Sequence, residues 1–508
     1  MVLTLLLAVQ ARADVTPEMV RGALSKLDYY AQQAMKETGI PGMAIGVVYR
    51  DQVIFLKGYG VREEGEPGLV DPDTVFLIAS VSKPITSTII ARAVTEKVVN
   101  WDDRIQRYLP GFALANKAAG GEVTLRDMLS HRSGLPDHAG DLLEDLGFDR
   151  TYILSRLKAF PLENRFRARY QYTNYGITSA GEAVAAAYGI SWEQLAEEKL
   201  FLPLGMRSTS SRYNDYLNAS NRAIIHSPKD PIKGGPFLPL FERNPQPQSP
   251  AGGVSASARD LSTWVRLHLA NGEIDGEPWI GPAALAETYR PHMLTDFNPN
   301  TLVGDYYGLC WGVSSPDRNG YVYLRHSGEF FLGARSIVSL LPGEELGILV
   351  LVNAAPSGVP EAMSFAFYDY ALRGELSRDW IRFANDKFAL LVAEQFARNG
   401  IDYTQSPQNF VPRRAFDWYT GVYDNPVYDS ATIFVLKNRI YLTMGPDKMT
   451  WELRHYSGDL FYYETTGENR TGLRGVSFDF NQGHKASSVT INTYNAIGLG
   501  NFTRRRPL

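Results

Sequence analysis

The segment Phe76-Leu-Ile-Ala-Ser80-Val-Ser-Lys83-Pro84 is the part of the 508-residue sequence that decides the fold. Apolar residues continue after it at helical spacing from Ile85 to Val94, and proline is tolerated in the first turn of a helix. Ser80 is therefore predicted to lie at the start of a buried helix. Lys83 is three residues further on and shares its face, so we expect the lysine amine to reach the serine hydroxyl.

This serine–lysine pair has the chemistry of an activated nucleophile. A serine hydroxyl is a poor nucleophile until a base takes its proton, and lysine can act as that base if desolvation lowers its pKa. The helix N-terminus adds N–H donors and positive potential for an oxyanion. Taken alone, a Ser-x-x-Lys string has little weight, because ordinary composition gives roughly two by chance in a chain this long.

Two further segments carry polar residues that fit the same chemistry. In Tyr170-Gln-Tyr172-Thr-Asn174-Tyr-Gly176, Tyr172 near a lysine can relay a proton, and the Asn174 amide offers a substrate both a donor and an acceptor. In His326-Ser327-Gly328, the glycine lets a strand backbone approach a ligand, and the next N–H, that of Glu329, is a candidate oxyanion donor. Taken singly, the first segment is equally well explained as a turn with a surface tyrosine. The second segment is equally well explained as one that contains a structural histidine.

In this order the three segments resemble the serine β-lactamase and penicillin-binding protein superfamily. Three others resemble its class C-type branch of DD-peptidases, D-aminopeptidases and family VIII carboxylesterases: Leu129-Ser-His131-Arg-Ser-Gly134-Leu-Pro136, Pro250-Ala-Gly-Gly253-Val-Ser255 with Asp260, and Tyr307-Gly308-Leu-Cys310-Trp311-Gly312. The resemblance covers about residues 25–375. It implies an α/β (α+β) β-lactamase/transpeptidase-like fold, in which helices flank an antiparallel sheet and form a helical subdomain.

The resemblance also implies a set of site residues. Ser80, Lys83, Tyr172 and His326 are the expected catalytic residues, and Asn174, Gly328 and Glu329 the expected substrate-binding or oxyanion residues. Whether Lys83 or Tyr172 takes the first proton is left open. Class C β-lactamases carry Lys-Thr-Gly where this chain has His326-Ser327-Gly328. A histidine is mostly neutral at pH 7, which weakens attraction for a substrate carboxylate, so efficient β-lactam turnover is disfavoured.

The order of predicted elements divides the chain into four parts. Residues 1–13 read as a signal peptide, because an apolar start is followed by Ala11-Arg-Ala13. Residues 14–375 form the hydrolase-like domain, with β hairpins at 43–61 and 334–352 and helical sequence between them. Residues 376–412 form a helical linker. Residues 413–508 are predicted to form an all-β unit that resembles the small lipocalin-like barrel domain appended to some peptidases of this branch.

Bulk properties exclude several classes of protein. The net charge of −4 leaves no excess of basic residues to bind nucleic-acid phosphates. After the apolar N-terminus, no apolar run is long enough to cross a bilayer. The export signal and the single cysteine, Cys310, favour a periplasmic or secreted bacterial protein. No zinc-binding helix, nucleophile elbow or phosphate loop is present, so neither a metal nor a cofactor is expected.

The expected reaction is two-step acyl transfer through a Ser80 acyl-enzyme. A peptidase acting on small or unusual peptides is the first interpretation and a carboxylesterase the second; a slowly acylating penicillin-binding or sensor protein is the third. The loops at 138–150, 205–250 and 292–306 are expected to set specificity. The C-terminal domain either pairs subunits into a homo-oligomer or covers the cleft. Cys310 stands where the family more often has glycine, and is interpreted as a packing residue.

Overall fold

The computed structural model describes residues 15–162, 166–298, 303–317, 320–397 and 400–506. The predicted signal peptide, residues 1–13, lies outside this part of the chain.

The α-helices in the described residues are numbered in chain order: α1 (Pro17–Thr38), α2 (Ser82–Thr95), α3 (Ile105–Tyr108), α4 (Lys117–Glu122), α5 (Leu125–Leu129), α6 (Asp141–Asp145), α7 (Arg150–Arg156), α8 (Asn174–Tyr188), α9 (Trp192–Ala196), α10 (Tyr213–Asn218), α11 (Ser249–Gly252), α12 (Ala258–Leu269), α13 (Pro282–Tyr289), α14 (Val359–Arg373) and α15 (Trp380–Ala397). Short 3-10 turns lie at Ala79–Val81, Leu157–Ala159, Gln246–Gln248, Pro342–Glu344, Phe416–Trp418 and Asn492–Tyr494, and a π-helical turn at Glu197–Phe201.

The strands are numbered in the same way: β1 (Gly42–Tyr49), β2 (Gln52–Gly60), β3 (Val75–Leu77), β4 (Ser227–Asp230), β5 (Gly234–Leu238), β6 (Ser255–Ser257), β7 (Glu273–Ile274), β8 (Glu277–Pro278), β9 (Met293–Asn298), β10 (Val303–Tyr307), β11 (Gly312–Val313), β12 (Leu324–Phe330), β13 (Ala334–Leu341), β14 (Leu346–Val352), β15 (Gly421–Asn425), β16 (Asp429–Leu436), β17 (Arg439–Met444), β18 (Met449–Ser457), β19 (Leu460–Glu464), β20 (Leu473–Asp479), β21 (Ser488–Ile491) and β22 (Asn501–Arg504).

The central feature is an eight-stranded antiparallel sheet with the order β2-β1-β14-β13-β12-β11-β10-β9. The hairpin β1–β2 pairs with the hairpin β13–β14, so the two ends of the unit meet in one sheet, as the sequence predicts. β1 and β14 are buried on both faces. Because side chains alternate along a strand, Ile45 and Val47 pack with α1 and α14, whereas Ala44 and Val48 pack in the core that contains α2, α8 and α12.

The helical subdomain occupies the sequence between β2 and β9, and its core includes the face of the sheet that carries Ala44 and Val48. α2 is buried along almost its whole length, and α8 packs beside it within the same core. The predicted fold class, an antiparallel sheet flanked by helices with an inserted helical region, is confirmed.

The C-terminal unit is a closed barrel of eight antiparallel strands, β15 to β22 in sequence order. Alternate residues of β17, Ile440, Leu442 and Met444, point into its buried interior. The predicted turn between β16 and β17 is formed by Lys437 and Asn438, both at positive φ. The helix predicted before the barrel is α15. The domain boundaries expected from the sequence, 14–375, 376–412 and 413–508, stay predictions.

The barrel packs directly against the helical subdomain. The β17–β18 turn approaches the residues after α6 so closely that a Cβ added to Gly445 would lie 2.0 Å from the Leu146 carbonyl oxygen. The apolar core of the helical subdomain continues without interruption into the barrel interior. Their shared core therefore fixes the barrel beside α6, which lies close to Ser80.

Candidate active site

Ser80 lies in the 3-10 turn that precedes α2 and is half-buried. The residue before it, Ala79, has φ of +46°, a left-handed conformation that is costly for alanine. Gly328 on β12 packs against this turn: a Cβ at Gly328 would lie 2.3 Å from the Ile78 carbonyl oxygen and 2.9 Å from the Ser80 nitrogen. Only glycine fits between the sheet and the turn that presents Ser80. The predicted approach of this strand to a ligand stays a prediction.

Lys83 projects from the first turn of α2 and is completely buried. Its Nζ donates to Ser80 Oγ at 2.8 Å, to Asn174 Oδ1 at 2.7 Å and to the Ala251 carbonyl at 2.9 Å. Burial lowers the pKa of Lys83 to about 7, because the charged ammonium loses its hydration. At neutral pH the amine is therefore available in large part as a base.

Tyr172 completes the contacts of the serine hydroxyl. Its OH donates to Ser80 Oγ at 2.9 Å, and its ring packs on His131 with the centroids 4.5 Å apart. Burial raises the pKa of Tyr172 above its ordinary value, although the bond to Ser80 opposes this. The two shifts run in opposite directions: the lysine loses its proton more easily than usual, and the tyrosine less easily.

Asn174 begins α8 and is held by an acidic residue that the sequence did not point to. While its Oδ1 accepts from Lys83, its Nδ2 donates to Asp141 Oδ2 at 2.9 Å. His138 Nδ1 lies 2.9 Å from the same Asp141 oxygen. Asp141 begins α6 and is 7% exposed, and its charge raises the pKa of Lys83 against the effect of burial. One amide N–H of Asn174 remains for a substrate, so the predicted role of Asn174 in substrate binding stays a prediction.

His326 lines the wall of the cleft on β12, as expected. Its Nδ1 lies 2.7 Å from the Ser327 carbonyl oxygen, which can only accept, so Nδ1 carries the proton. Nε2 therefore accepts from the Tyr307 hydroxyl at 2.9 Å. Burial lowers the pKa of His326 to about 3. The imidazole is thus neutral at physiological pH and adds no permanent cation to the cleft.

These residues open into a cleft of about 480 Å³. Of the loops expected to set specificity, 138–150 contributes His138, Asp141 and Glu144, and 205–250 contributes Arg243 and Gln248; no described residue of 292–306 lines it. Glu468 and Asn469 also line the cleft, and they come from the barrel. The C-terminal unit therefore forms part of the cleft wall. The expectations that it covers the cleft or pairs subunits stay predictions.

The single cysteine lies behind the cleft in a strained position. Cys310 is fully buried and has φ of +67°, in the left-handed region that suits glycine. This explains why glycine is the more usual residue at this point of the family pattern. Burial raises the pKa of the Cys310 thiol, so it stays protonated. Both observations agree with its interpretation as a packing residue.

Within the described ranges, no cluster of three or more histidine, cysteine or carboxylate side chains has an arrangement that could hold a metal ion. None of the described helices combines the length and the apolar character that crossing a bilayer requires.

The chain matches two known family profiles. The profile described as Beta-lactamase matches residues 27–372, and one described as Domain of unknown function (DUF3471) matches residues 405–501. The first covers the sheet and the helical subdomain, and the second covers the barrel up to the start of β22.

Curated relatives and a solved structure agree with the first match. Beta-lactamase-like protein 2 of Dictyostelium discoideum is 25% identical over 64% of this chain, which spans only 58% of that protein's length. The D-alanyl-D-alanine-carboxypeptidase/endopeptidase AmpH of Escherichia coli K12 is 26% identical over 65% of this chain and 84% of its own. The octameric penicillin-binding protein homologue of Pyrococcus abyssi shares the fold, with a TM-score of 0.62 at 18% identity over 92% of this chain and 98% of its own.

Proposed function

The chain belongs to the beta-lactamase family, and from that premise we propose that it is a serine hydrolase that works through a Ser80 acyl-enzyme. One observation carries the proposal. Ser80 Oγ lies 2.8 Å from Lys83 Nζ and 2.9 Å from Tyr172 OH at the bottom of an open cleft. A hydroxyl held by a buried amine of lowered pKa is the arrangement that nucleophilic catalysis requires.

In the acylation step, Lys83 is the base. Its neutral amine takes the Ser80 proton while Oγ attacks the substrate carbonyl, because its pKa is lowered whereas that of Tyr172 is raised. The Tyr172 hydroxyl hydrogen-bonds to Ser80 Oγ and is placed to pass the proton on to the leaving group. The backbone N–H groups of Ser80 and Glu329 are the proposed oxyanion donors, since Gly328 brings β12 against the serine turn.

In the second step, water attacks the acyl-enzyme and Ser80 is regenerated. Lys83 is neutral again, because the proton it took from Ser80 has left with the leaving group, and it now takes a proton from the attacking water. The bond between the acyl carbon and Ser80 Oγ then breaks, and the Lys83 ammonium returns a proton to Oγ directly or through the Tyr172 hydroxyl. Asp141 holds the Asn174 amide in one orientation, with its oxygen toward Lys83. This keeps the Lys83 amine directed at Ser80 throughout the cycle.

The proposed substrate is an amide bond in a small or unusual peptide. The cleft is lined mainly by polar and charged side chains, which suits a peptide better than a lipid-like ester. AmpH, which is named as a carboxypeptidase and endopeptidase, supports the same class. The neutral His326 stands where β-lactamases carry a lysine, so this position supplies no fixed cation, which disfavours β-lactam turnover. A periplasmic or secreted location fits a peptide substrate derived from the cell wall.

The test is turnover of a matched substrate panel by the wild type and Ser80→Ala. The panel contains D- and L-aminoacyl anilides, short peptides, p-nitrophenyl esters and a chromogenic cephalosporin. Ser155→Ala, which removes an exposed hydroxyl on α7, serves as the matched control. We expect peptide and anilide cleavage in the wild type and the control, and none in Ser80→Ala. Turnover of esters alone makes the protein a carboxylesterase, and a stable acyl adduct without turnover makes it a binding protein. Activity that survives in Ser80→Ala refutes the proposal.

A further inference from the structure

The helix between the two units, α15, is covered on one side only. Of its 18 residues, three are buried: Ile381, Ala384 and Val392. These positions recur at helical spacing, so they lie on one side of the helix. The opposite side carries Leu390 and Leu391, each 58% exposed. Because a helix in a protein owes most of its stability to packing, a side that exposes two leucines indicates that it docks against another surface.

Two charges flank these leucines on the same side of α15. Lys387 and Glu394 are seven residues apart, nearly two full turns, so both side chains leave the helix in almost the same direction. Both are exposed, and neither forms a hydrogen bond or an ion pair with any described residue. They are roughly 10 Å apart along the helix axis, too far to pair with each other. An unpaired cation thus lies before the leucines and an unpaired carboxylate after them.

This outer face of α15, formed by Lys387, Leu390, Leu391 and Glu394, is complementary to itself. A twofold axis that crosses the helix midway between the two leucines sets two copies of α15 antiparallel. Both charges stand three and a half positions from that axis, so Lys387 of each copy lies level with Glu394 of the other. The leucines of the two copies meet in the centre. A parallel pairing would instead place lysine against lysine and glutamate against glutamate, which is unfavourable.

The buried side of α15 joins the hydrolase-like unit to the barrel. The Phe396 ring packs on that of Phe331, which follows β12, with the centroids 6.1 Å apart. Gln395 Nε2 donates to the carbonyl of Arg470 at 3.1 Å, and Arg470 lies in the loop between β19 and β20. The same barrel loop contributes Glu468 to the cleft wall. A partner on the outer face would therefore hold in place the helix that anchors this barrel loop.

We infer that the outer face of α15 is an interaction surface, and that its partner is a second copy of this chain docked antiparallel about a twofold axis. The face suits a second copy better than a lipid surface, because anionic headgroups would repel the Glu394 carboxylate. The inference goes beyond the chemistry proposed for Ser80 and does not depend on it. It also places self-association on the linker helix and not on the barrel.

The experiment is sedimentation velocity of the full-length protein between about 1 and 200 µM. Lys387→Glu and Glu394→Lys each turn both ion pairs of the dimer into like-charge contacts. An equimolar mixture of these two single variants restores both pairs, since one chain then carries glutamate at both positions and the other carries lysine at both. The double variant Lys387→Glu/Glu394→Lys restores both pairs within one chain. Lys36→Glu, which reverses an exposed lysine on α1, is the matched control.

We expect a wild-type dimer and a dissociation constant at least about tenfold weaker in each single variant, because each substitution changes two contacts at once. The mixture, the double variant and Lys36→Glu should all dimerise to within about threefold of the wild type. Replacing Leu390 and Leu391 together by glutamine should give a monomer. Its far-UV circular dichroism should stay that of the folded chain, since both side chains are exposed and glutamine is a good helix former.

A wild type that stays monomeric up to about 200 µM overturns the inference, and binding of that monomer to phosphatidylglycerol vesicles would assign the face to a lipid surface instead. A particle whose size none of these substitutions changes also overturns it, because its interface then lies elsewhere. So does a mixture of the two single variants that associates no better than either variant alone. Ser80-dependent turnover is measured separately, so loss of the proposed function and loss of the interface are distinguished.

Discussion

The acid limb of the pH profile tests whether Lys83 is the base. With an ordinary lysine pKa of 10.5, roughly 0.03% of the amine is neutral at pH 7, whereas with the pKa lowered to about 7 the neutral fraction is about half. Burial therefore supplies about three orders of magnitude more base at neutral pH. We expect kcat/KM to rise tenfold per pH unit below pH 7 and to level off above it, so that the value at pH 5.5 is roughly thirtyfold below the plateau.

The assay is hydrolysis of an uncharged p-nitrophenyl ester between pH 5 and 9, with the spontaneous rate subtracted. Asp141→Asn should move the limb to lower pH by about one unit, because the carboxylate that favours the ammonium form of Lys83 is lost while an oxygen for Asn174 remains. Glu468 also has a pKa of about 7, so Glu468→Gln is the control and should leave the limb in place with this uncharged substrate.

Three results would refute the assignment of Lys83. The first is a flat profile down to pH 5, and the second is a rise that continues through pH 9. The third is a shift of the limb to higher pH in Asp141→Asn. A limb that disappears in Glu468→Gln would place the titration on the barrel carboxylate and not on the lysine.

Three further predictions concern single residues of the site. Tyr172→Phe should lower kcat/KM by about 10²–10⁴ with little change in Tm, since the ring keeps its packing on His131; activity within threefold of wild type would contradict a role in proton transfer. Gly328→Ala should abolish measurable turnover and lower Tm, because its Cβ meets the Ile78 carbonyl at 2.3 Å, whereas Gly111→Ala, with open space around it, should change neither. Cys310 should resist an aromatic disulfide reagent in the native protein and react fully in guanidinium; rapid labelling of folded protein would disprove its burial.

The local geometry around Ser80 was predictable because it follows from short segments. Ser80 lies in the 3-10 turn that leads into α2 and Lys83 in the first turn of α2, so their 2.8 Å contact follows from a spacing of three residues. The hairpins at 43–61 and 334–352 follow from alternating β-rich runs on either side of a polar turn. In each case the residues that interact are neighbours in sequence, or belong to elements whose pairing the order of the chain dictates.

The parts that were not predictable depend on contacts between distant segments. Asp141 holds the Asn174 amide because α6 lies beside the start of α8 in the fold. No sequence pattern around Asp141 distinguishes it from carboxylates that lie on the surface. Arg243 and Glu468 lie in a loop and a barrel turn, and their ion pair exists only because the two units dock. The directions of the pKa shifts of Lys83 and Tyr172 likewise require burial, which the sequence alone does not give.

The anchoring of the barrel loop has a consequence for the time at which the site is completed. Asn469, a barrel residue of the cleft wall, donates its backbone N–H to the Asp145 carboxylate across 324 positions of the chain. The turn that presents Ser80 is closed earlier in the chain, by Gly328 on β12. A ribosome that adds about 5–20 residues per second makes the stretch from Gly328 to Asn469 in roughly 7–28 s. This part of the cleft wall is therefore the last to be synthesised, and it takes its place only after that interval.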